Sequence, residues 1–360
     1  MKDGYGRIID YLRISLTDKC NLRCTYCMPP EGVKRLKHRE VLTIEEIIRT
    51  AGILTELGIK RIRLTGGEPL VRKGVDTVVK SLGELKSRPE LALTTNGILL
   101  ADKLEEYMSS GLSSVNISLD TKDRECFERI TGYDGLYAVE RAIDKALSLG
   151  LKLKLNCVPM AGVNDMELYK IAGYARDHDV DVRYIELMPI GCAAEKKGMS
   201  SEEVLRELEE HYGKAFPGTF RDKALTGKNA TENCPTDTDE ERSIPQREAV
   251  KDSIIQGPAR YVSFEGFKGR VGFISPLSDC FCASCNRLRL TVDGGLKTCL
   301  YYPETLDLKK LLRKGAGDED IKQAVIQAVL EKPERHKFIT ENNRMDADRK
   351  DTRSMVQIGG

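Results

Sequence analysis

Between residues 8 and 213 the chain alternates, six times over, between a short β-type run and a stretch of helical periodicity. The β-type runs fall at 8–16 (IIDYLRISL), 59–65 (IKRIRLT), 90–94 (ELALT), 113–119 (SSVNISL), 151–157 (LKLKLNC) and 181–187 (DVRYIEL). Amphipathic stretches at 43–57, 75–87, 101–110, 136–149, 165–178 and 200–213 follow them. The first opens on a capping box, Thr43 with Glu46, and its stretch ends at Gly58. Six consecutive β–α units require a parallel sheet with right-handed crossovers. Two architectures satisfy that requirement, an incomplete curved barrel and a doubly wound open sheet.

Strand parity separates them. Parallel strands buried on both faces read as nearly continuous apolar runs, and several of these do not. Arg13 and Ser15 alternate with Leu12, Ile14 and Leu16; Arg61, Arg63 and Thr65 with Ile62 and Leu64; Lys152, Lys154 and Asn156 with Leu151, Leu153 and Leu155. Each such strand has an apolar face for helices and a basic, polar face on the other side. Exposure of that face to solvent is common in antiparallel sheets and unusual in β–α repeats. An incomplete barrel with a basic cavity for a polyanion explains the pattern better. The chain as a whole carries 57 Lys+Arg against 56 Asp+Glu, so the basic surface is local, and a general nucleic-acid binder is not expected.

After the first strand comes CNLRCTYC, with three residues between Cys20 and Cys24 and two between Cys24 and Cys27. Three thiolates converging from one loop leave a four-iron cluster with one open iron. A zinc knuckle would need a fourth ligand, and the nearest histidine, His38, lies outside the loop. Polar or backbone-exposing residues gather at the carboxyl ends of the strands, where β–α barrels place their sites: Gly66-Gly67-Glu68-Pro69, Thr94-Thr95-Asn96-Gly97, Ser118-Leu119-Asp120 and Glu186-Leu187-Met188-Pro189. The cysteine spacing, with Tyr26 before the last cysteine, resembles the signature of radical S-adenosylmethionine (SAM) enzymes. Beside it, GGEP is similar to that superfamily's motif for the amino group of SAM.

Residues 222–257 are polar, poor in aromatics and aperiodic, and read as a linker or insertion. Four shorter β-type runs follow, at 259–264, 270–275, 287–292 and 296–300, spaced as antiparallel strands, with Asp293-Gly294-Gly295 as a hairpin turn. Helical stretches at about 305–314 and 318–332 precede a polar tail ending in Gly359-Gly360. Cys282, Cys285 and Cys299 form a second set of three; with Cys280 the set becomes four and a structural zinc site is the alternative, against which stands the single residue between Cys280 and Cys282, a poor spacing for joint chelation beside Cys285. Arg287 and Arg289 share the strand face of Cys285, a pairing that suits phosphate. Cys126, Cys157, Cys192 and Cys234 stand alone and are read as ordinary thiols of a reducing compartment. The N-terminus lacks an apolar leader segment and no run is long enough to span a membrane, so a soluble, cytoplasmic protein is expected.

The two cysteine sets, Asn286-Arg287-Leu288-Arg289 and the terminal Gly-Gly together resemble the GTP 3',8-cyclase family of molybdenum cofactor biosynthesis over essentially the whole chain. Cys280 and the long polar stretch depart from that pattern. The resemblance implies an α/β fold: a (β/α)6 TIM-type radical SAM barrel over 1–221, the polar segment 222–257, a smaller α+β domain with antiparallel strands at 258–340, and a tail at 341–360. It implies two [4Fe-4S] clusters, on Cys20, Cys24 and Cys27 and on Cys282, Cys285 and Cys299. SAM contacts map to Tyr26, Gly67, Ser118 and Met188. GTP contacts map to Arg13, Arg63, Thr94, Lys154, Arg287, Leu288 and Arg289, with Arg183, Gly359 and Gly360 as further candidates and no residue assigned as acid or base. The implied reaction is hydrogen abstraction from C3' of GTP by a SAM-derived 5'-deoxyadenosyl radical, then ring closure to (8S)-3',8-cyclo-7,8-dihydroguanosine 5'-triphosphate. An electron donor of flavodoxin or ferredoxin type, a downstream cyclic pyranopterin monophosphate synthase and a homodimer are the implied partners.

Overall fold

Alternating strands and helices build one sheet. The computed structural model describes residues 1–218, 258–338 and 351–359; the polar stretch at 222–257, most of the predicted tail before Asp351, and Gly360 lie outside them. The six predicted strands are β1 (Tyr11–Ser15), β2 (Arg61–Thr65), β3 (Glu90–Thr95), β4 (Leu112–Ser118), β5 (Lys152–Cys157) and β6 (Asp181–Ile185), paired in chain order and all parallel. Between and after them run α1 (Ile44–Glu56), α2 (Val75–Gly83), α3 (Leu104–Ser109), α4 (Arg124–Thr131), α5 (Leu136–Ser148), α6 (Leu168–Asp177) and α7 (Ser201–Tyr212). The predicted capping box is present: Thr43 accepts from the Glu46 N–H, and the Glu46 carboxylate accepts from the Thr43 N–H.

The apolar parity of the strands faces these helices. Leu12, Ile14, Ile62, Leu64, Leu93, Val115, Ile117, Leu155 and Val182 are buried with Leu54, Val79, Leu104 and Ile143 in one core. Each such side chain contributes about 1.5–3 kcal/mol, and together they hold the opposite, polar parity in place.

The antiparallel pairing expected of the C-terminal strands is present, and two of these strands also extend the barrel sheet in parallel at its edges. β9 (Arg270–Ile274) pairs parallel with β6, and β10 (Arg287–Leu290) pairs parallel with β1. Antiparallel strands lie outside these: β7 (Phe216–Pro217) and β8 (Arg260–Ser263) beyond β9, and β11 (Gly295–Lys297) and β12 (Leu306–Asp307) beyond β10. The sheet order is β12-β11-β10-β1-β2-β3-β4-β5-β6-β9-β8-β7. Local spacing had revealed the hairpins correctly; a parallel partner at the far end of the chain leaves no local mark. The barrel stays incomplete, because β9 and β10 do not pair with each other among the described residues. α8 (Leu308–Arg313) and α9 (Asp318–Leu330) follow on the outside.

The final described segment, Asp351–Gly359, lies over the carboxyl-end rim and carries the short helix α10 (Met355–Ile358). Val356 and Ile358 are 2% and 1% exposed. An ionic latch holds its start: Asp351 pairs with Lys297, whose side chain is 0% exposed, and with Arg353, which also reaches Glu304 at 2.6 Å. Removing one partner of such a pair strands a buried charge, at about 3–5 kcal/mol. Asp351→Ala is therefore expected to free this segment, seen as faster amide exchange at Val356–Gly359 with β1–β6 still protected. Unchanged exchange there would mean that the apolar contacts alone hold the segment.

Candidate active site in the barrel

The polar parity of the strands encloses a cavity of about 400 Å³. Its floor is set by register. Arg13 on β1 is directly opposite Arg289 on one neighbour and Arg63 on the other, so three arginines stand side by side on adjacent parallel strands. Like charges facing each other across strands are destabilising. Arg63 donates to the Tyr11 hydroxyl and, at 3.4 Å, to Thr94 Oγ1; Arg289 donates to the Gly359 carbonyl at 2.8 Å. Arg63, Arg183 and Arg289 form no ion pair with a carboxylate among the described residues. Burial, with Arg287 adding to it, pulls Arg289 down to about 10. Burial and then Arg289 hold Arg13 well below its ordinary value. Burial pushes the Tyr11 phenol up, but Arg63 and Arg13 outweigh it and bring the group down to about 8. Arg183 Nη2 donates to Asn156 at 2.7 Å, while its buried Nε and the buried Asn116 Oδ1 find no hydrogen-bond partner among the described residues. An unsatisfied buried donor on Arg183 and an unsatisfied acceptor on Asn116, beside clustered cations, mark a place prepared for a polar ligand that carries negative charge.

Lys154 differs from the arginines. Asp181 accepts from it and also from Arg270 at 2.9 Å, so one carboxylate offsets part of the charge of two cations. Thr94, Ser118, Tyr26, Gly67, Met188 and Arg183 line the cavity with the arginines, as the sequence suggested. Leu288 does not. Its side chain is fully buried in the apolar core, and Arg287 and Arg289 on either side of it take the cavity face. Gly359 reaches the cavity through its carbonyl and meets Ser15, where a Cβ would come within 2.7 Å; Gly360 lies outside the described residues.

Cys20, Cys24 and Cys27 open onto the same cavity from its rim. Their loop is held by α4, which the sequence reading missed: the Ile130 and Thr131 carbonyls at its end accept from the Thr25 and Arg23 N–H groups at 2.9 and 2.7 Å. The helix is short, but the Asp123 N-cap, the apolar face of Cys126, Phe127 and Ile130 and the left-handed Gly132 at its end were all signals for it. Two buried carboxyls brace the neighbouring strand ends. Asp120, raised to about 6 by burial, accepts from the Tyr26 hydroxyl at 2.7 Å and the Val158 N–H at 2.8 Å. Glu68, raised to about 7 by burial, accepts from Thr95 and from the Asn96 and Leu70 N–H groups. A Cβ on Gly67 would sit 2.5 Å from the Lys19 carbonyl and 2.8 Å from Val356, so only glycine fits between the cysteine loop and the tail.

The donor sets fit iron–sulfur clusters. Soft thiolates are their ligands, and all six cysteines are half-buried and free rather than cross-linked. Neither Cys20, Cys24 and Cys27 nor Cys282, Cys285 and Cys299 forms a group whose ligand atoms all lie within 4.8 Å, as a single ion requires. A four-iron cube holds its cysteines further apart. Phe281, Asn286 and Leu300, flanking the second set, form the cavity wall beside Arg287. Within that set the thiols differ. Burial pushes Cys282 up to about 12; burial also acts on Cys285, but Lys332 and Arg287 outweigh it and hold that thiol below its ordinary value. In cluster-free protein at neutral pH, iodoacetamide is therefore expected to label Cys285 before Cys282, as read by peptide mass spectrometry. Lys332→Met should slow the Cys285 reaction; labelling of Cys282 first would refute this ordering.

Comparison with known proteins agrees with this anatomy. The family model described as the radical SAM superfamily matches residues 14–175, and that described as Molybdenum Cofactor Synthesis C matches residues 219–338. A protein named GTP 3',8-cyclase from Clostridium perfringens (strain 13 / Type A) is 39% identical over 360 residues, with 100% of each chain covered. One of the same name from Syntrophomonas wolfei subsp. wolfei is 41% identical over 364 residues, again with 100% of each covered. Molybdenum cofactor biosynthesis protein 1 of Dictyostelium discoideum is 39% identical over 339 residues, 93% of this chain and 49% of that protein. With such identity along its whole length and both families matched in order, the chain belongs to the GTP 3',8-cyclase family of radical SAM enzymes.

Proposed function

We propose that this chain binds GTP in the basic cavity and joins C3' of its ribose to C8 of its guanine, giving (8S)-3',8-cyclo-7,8-dihydroguanosine 5'-triphosphate for molybdenum cofactor biosynthesis. The observation that carries the reading is the row Arg289, Arg13 and Arg63, which is unfavourable alone and matched by a triphosphate. Arg287 and Thr94 extend that surface; Arg183 and Lys154 border it, the latter through its pair with Asp181. Cys20, Cys24 and Cys27 hold one [4Fe-4S] cluster, with Tyr26, Gly67, Ser118 and Met188 around SAM; Cys282, Cys285 and Cys299 hold the second at the guanine end. Bound there, the first cluster and SAM supply one-electron chemistry able to remove hydrogen from an unactivated carbon.

The protein's own part is positioning and exclusion. The Tyr26 hydroxyl, donating to Asp120, fixes the ring beside the cysteine loop. The Val356 backbone lies beside Cys27, and the Gly359 carbonyl accepts from Arg289, so the terminal segment closes the rim against water. An electron donor of flavodoxin or ferredoxin type, a homodimer, a cytoplasmic location and a synthase that takes the product to cyclic pyranopterin monophosphate complete the proposal. No helix among the described residues is long and apolar enough to cross a membrane.

The test is anaerobic. Reconstituted protein should hold about eight irons per chain and, with SAM and dithionite, release 5'-deoxyadenosine faster when GTP is added. SAM cleavage indifferent to GTP would sink the assignment. Arg289→Ala removes a charge-assisted contact of about 1.5–3 kcal/mol, so GTP binding should weaken about 10–100-fold, measured by calorimetry, while SAM still binds. Equal loss of SAM and GTP affinity would argue against the assigned role.

A further inference from the structure

Cys280 departs from the family pattern, and its surroundings give it a use. Among the described residues, one group of three possible metal ligands has all its ligand atoms within 4.8 Å of one another: Cys280, Cys282 and His336. Cys280 Sγ lies 3.6 Å from His336 Nε2. Two thiolates on one tetrahedral zinc ion, at about 2.3 Å each, are about 3.8 Å apart, so the group has single-ion dimensions.

The site is built rather than incidental. Its residues come from two segments, and Arg7 clasps them together: Nη1 donates to the Cys282 carbonyl at 2.9 Å and the Glu334 carbonyl at 2.7 Å, and Nη2 to the Pro333 carbonyl at 2.7 Å. The Arg7 side chain is itself buried against Asp3, at 7% and 0% exposure. On the other side, the Glu186 carboxylate accepts from the Leu277 and Ser278 N–H groups, both at 3.1 Å, and fixes the loop leading to Cys280. The Phe338 N–H donates to His336 Nδ1 at 3.4 Å, which holds the ring with Nε2 towards Cys280. Cys280 is exposed, which leaves solvent to supply a fourth ligand.

We propose that Cys280, Cys282 and His336 form a site for one thiophilic divalent ion of the zinc class, with two thiolates, one imidazole and an open position. Cys282 cannot serve this ion and an iron–sulfur cluster at once. The ion therefore excludes the second cluster, a consequence that rests on the cluster assignment made above. Zinc loading at this site holds the chain in a state that retains the first cysteine set and lacks the second cluster.

Cobalt(II) tests the site, since thiolate ligation gives it a charge-transfer band. The cluster-free full chain carrying Cys20→Ser, Cys24→Ser and Cys27→Ser is titrated anaerobically with Co2+ and then Zn2+. One Co2+ per chain is expected, displaced by Zn2+, with Cys280→Ser and His336→Ala each weakening it at least about tenfold and Cys285→Ser leaving it unchanged. The same single variants in the otherwise unaltered cluster-free chain should keep this order, so the result does not depend on the serine background folding. Loss of binding in Cys285→Ser or Cys299→Ser, with Cys280→Ser and His336→Ala unaffected, overturns the proposal; so does absence of binding. Iron counting separates the two readings. Zinc-loaded protein should take up about four fewer irons than zinc-free protein, a difference that Cys280→Ser abolishes. If zinc-free protein takes up only about four, the second-cluster assignment fails while the cobalt result stands.

Discussion

Three arginines held at consecutive positions across a sheet set the terms for the rest of the molecule. If their charges were as close as their strands, about 5 Å, each adjacent pair would repel by about 3 kcal/mol at an effective dielectric near 20. The register that opposes Arg289, Arg13 and Arg63 is fixed from the other face, where Leu288, Leu12 and Ile62 are fully buried among the helices. Moving a strand by one residue would exchange the two faces, which the core forbids. The repulsion is thus stored in a geometry that cannot relax by slipping, and a bound polyanion reverses its sign.

The carboxyl-end rim joins the parts of the site through backbone groups. The Val356 backbone lies beside Cys27 and Gly359 gives its carbonyl to Arg289, so four residues of chain bridge the first cysteine set and the arginine row. Glycine at 67 lets the segment pass. The latch of Lys297, Asp351 and Arg353 holds the start of the segment, on the strand beside Arg289.

Period two made the cavity legible. Arg13, Arg63 and Lys154 could be placed because each strand displays its own alternation, and the same rule, applied to residues 287–290, puts Leu288 in the core, where it is found. What stayed hidden was partnership at a distance. Nothing near Lys154 announces Asp181, nor near Asp181 its second partner Arg270, 89 residues away. Tyr11 shares the parity of Arg13 and was open to the same argument. Asp120 and Glu68 were visible as rim residues, but their role in bracing the rim depends on burial, which a sequence shows only on average. The helix Arg124–Thr131 offered an N-cap at Asp123, an apolar face and a terminal glycine, and it is the element that holds the cysteine loop.

The pairing of β1 with β10 also orders events in time. Asn286 and Asp10, at its start, are hydrogen-bonded across 276 residues, whereas β1 and β2 are joined by a single crossover. Closure of long loops comes late and slows folding. The apolar packing of the six-strand core can therefore form while only Arg13 and Arg63 are neighbours, and Arg289 arrives when that core is already able to bear it. A strand order that placed all three arginine strands consecutively in the chain would meet the full repulsion at the outset, before any sheet existed to oppose it.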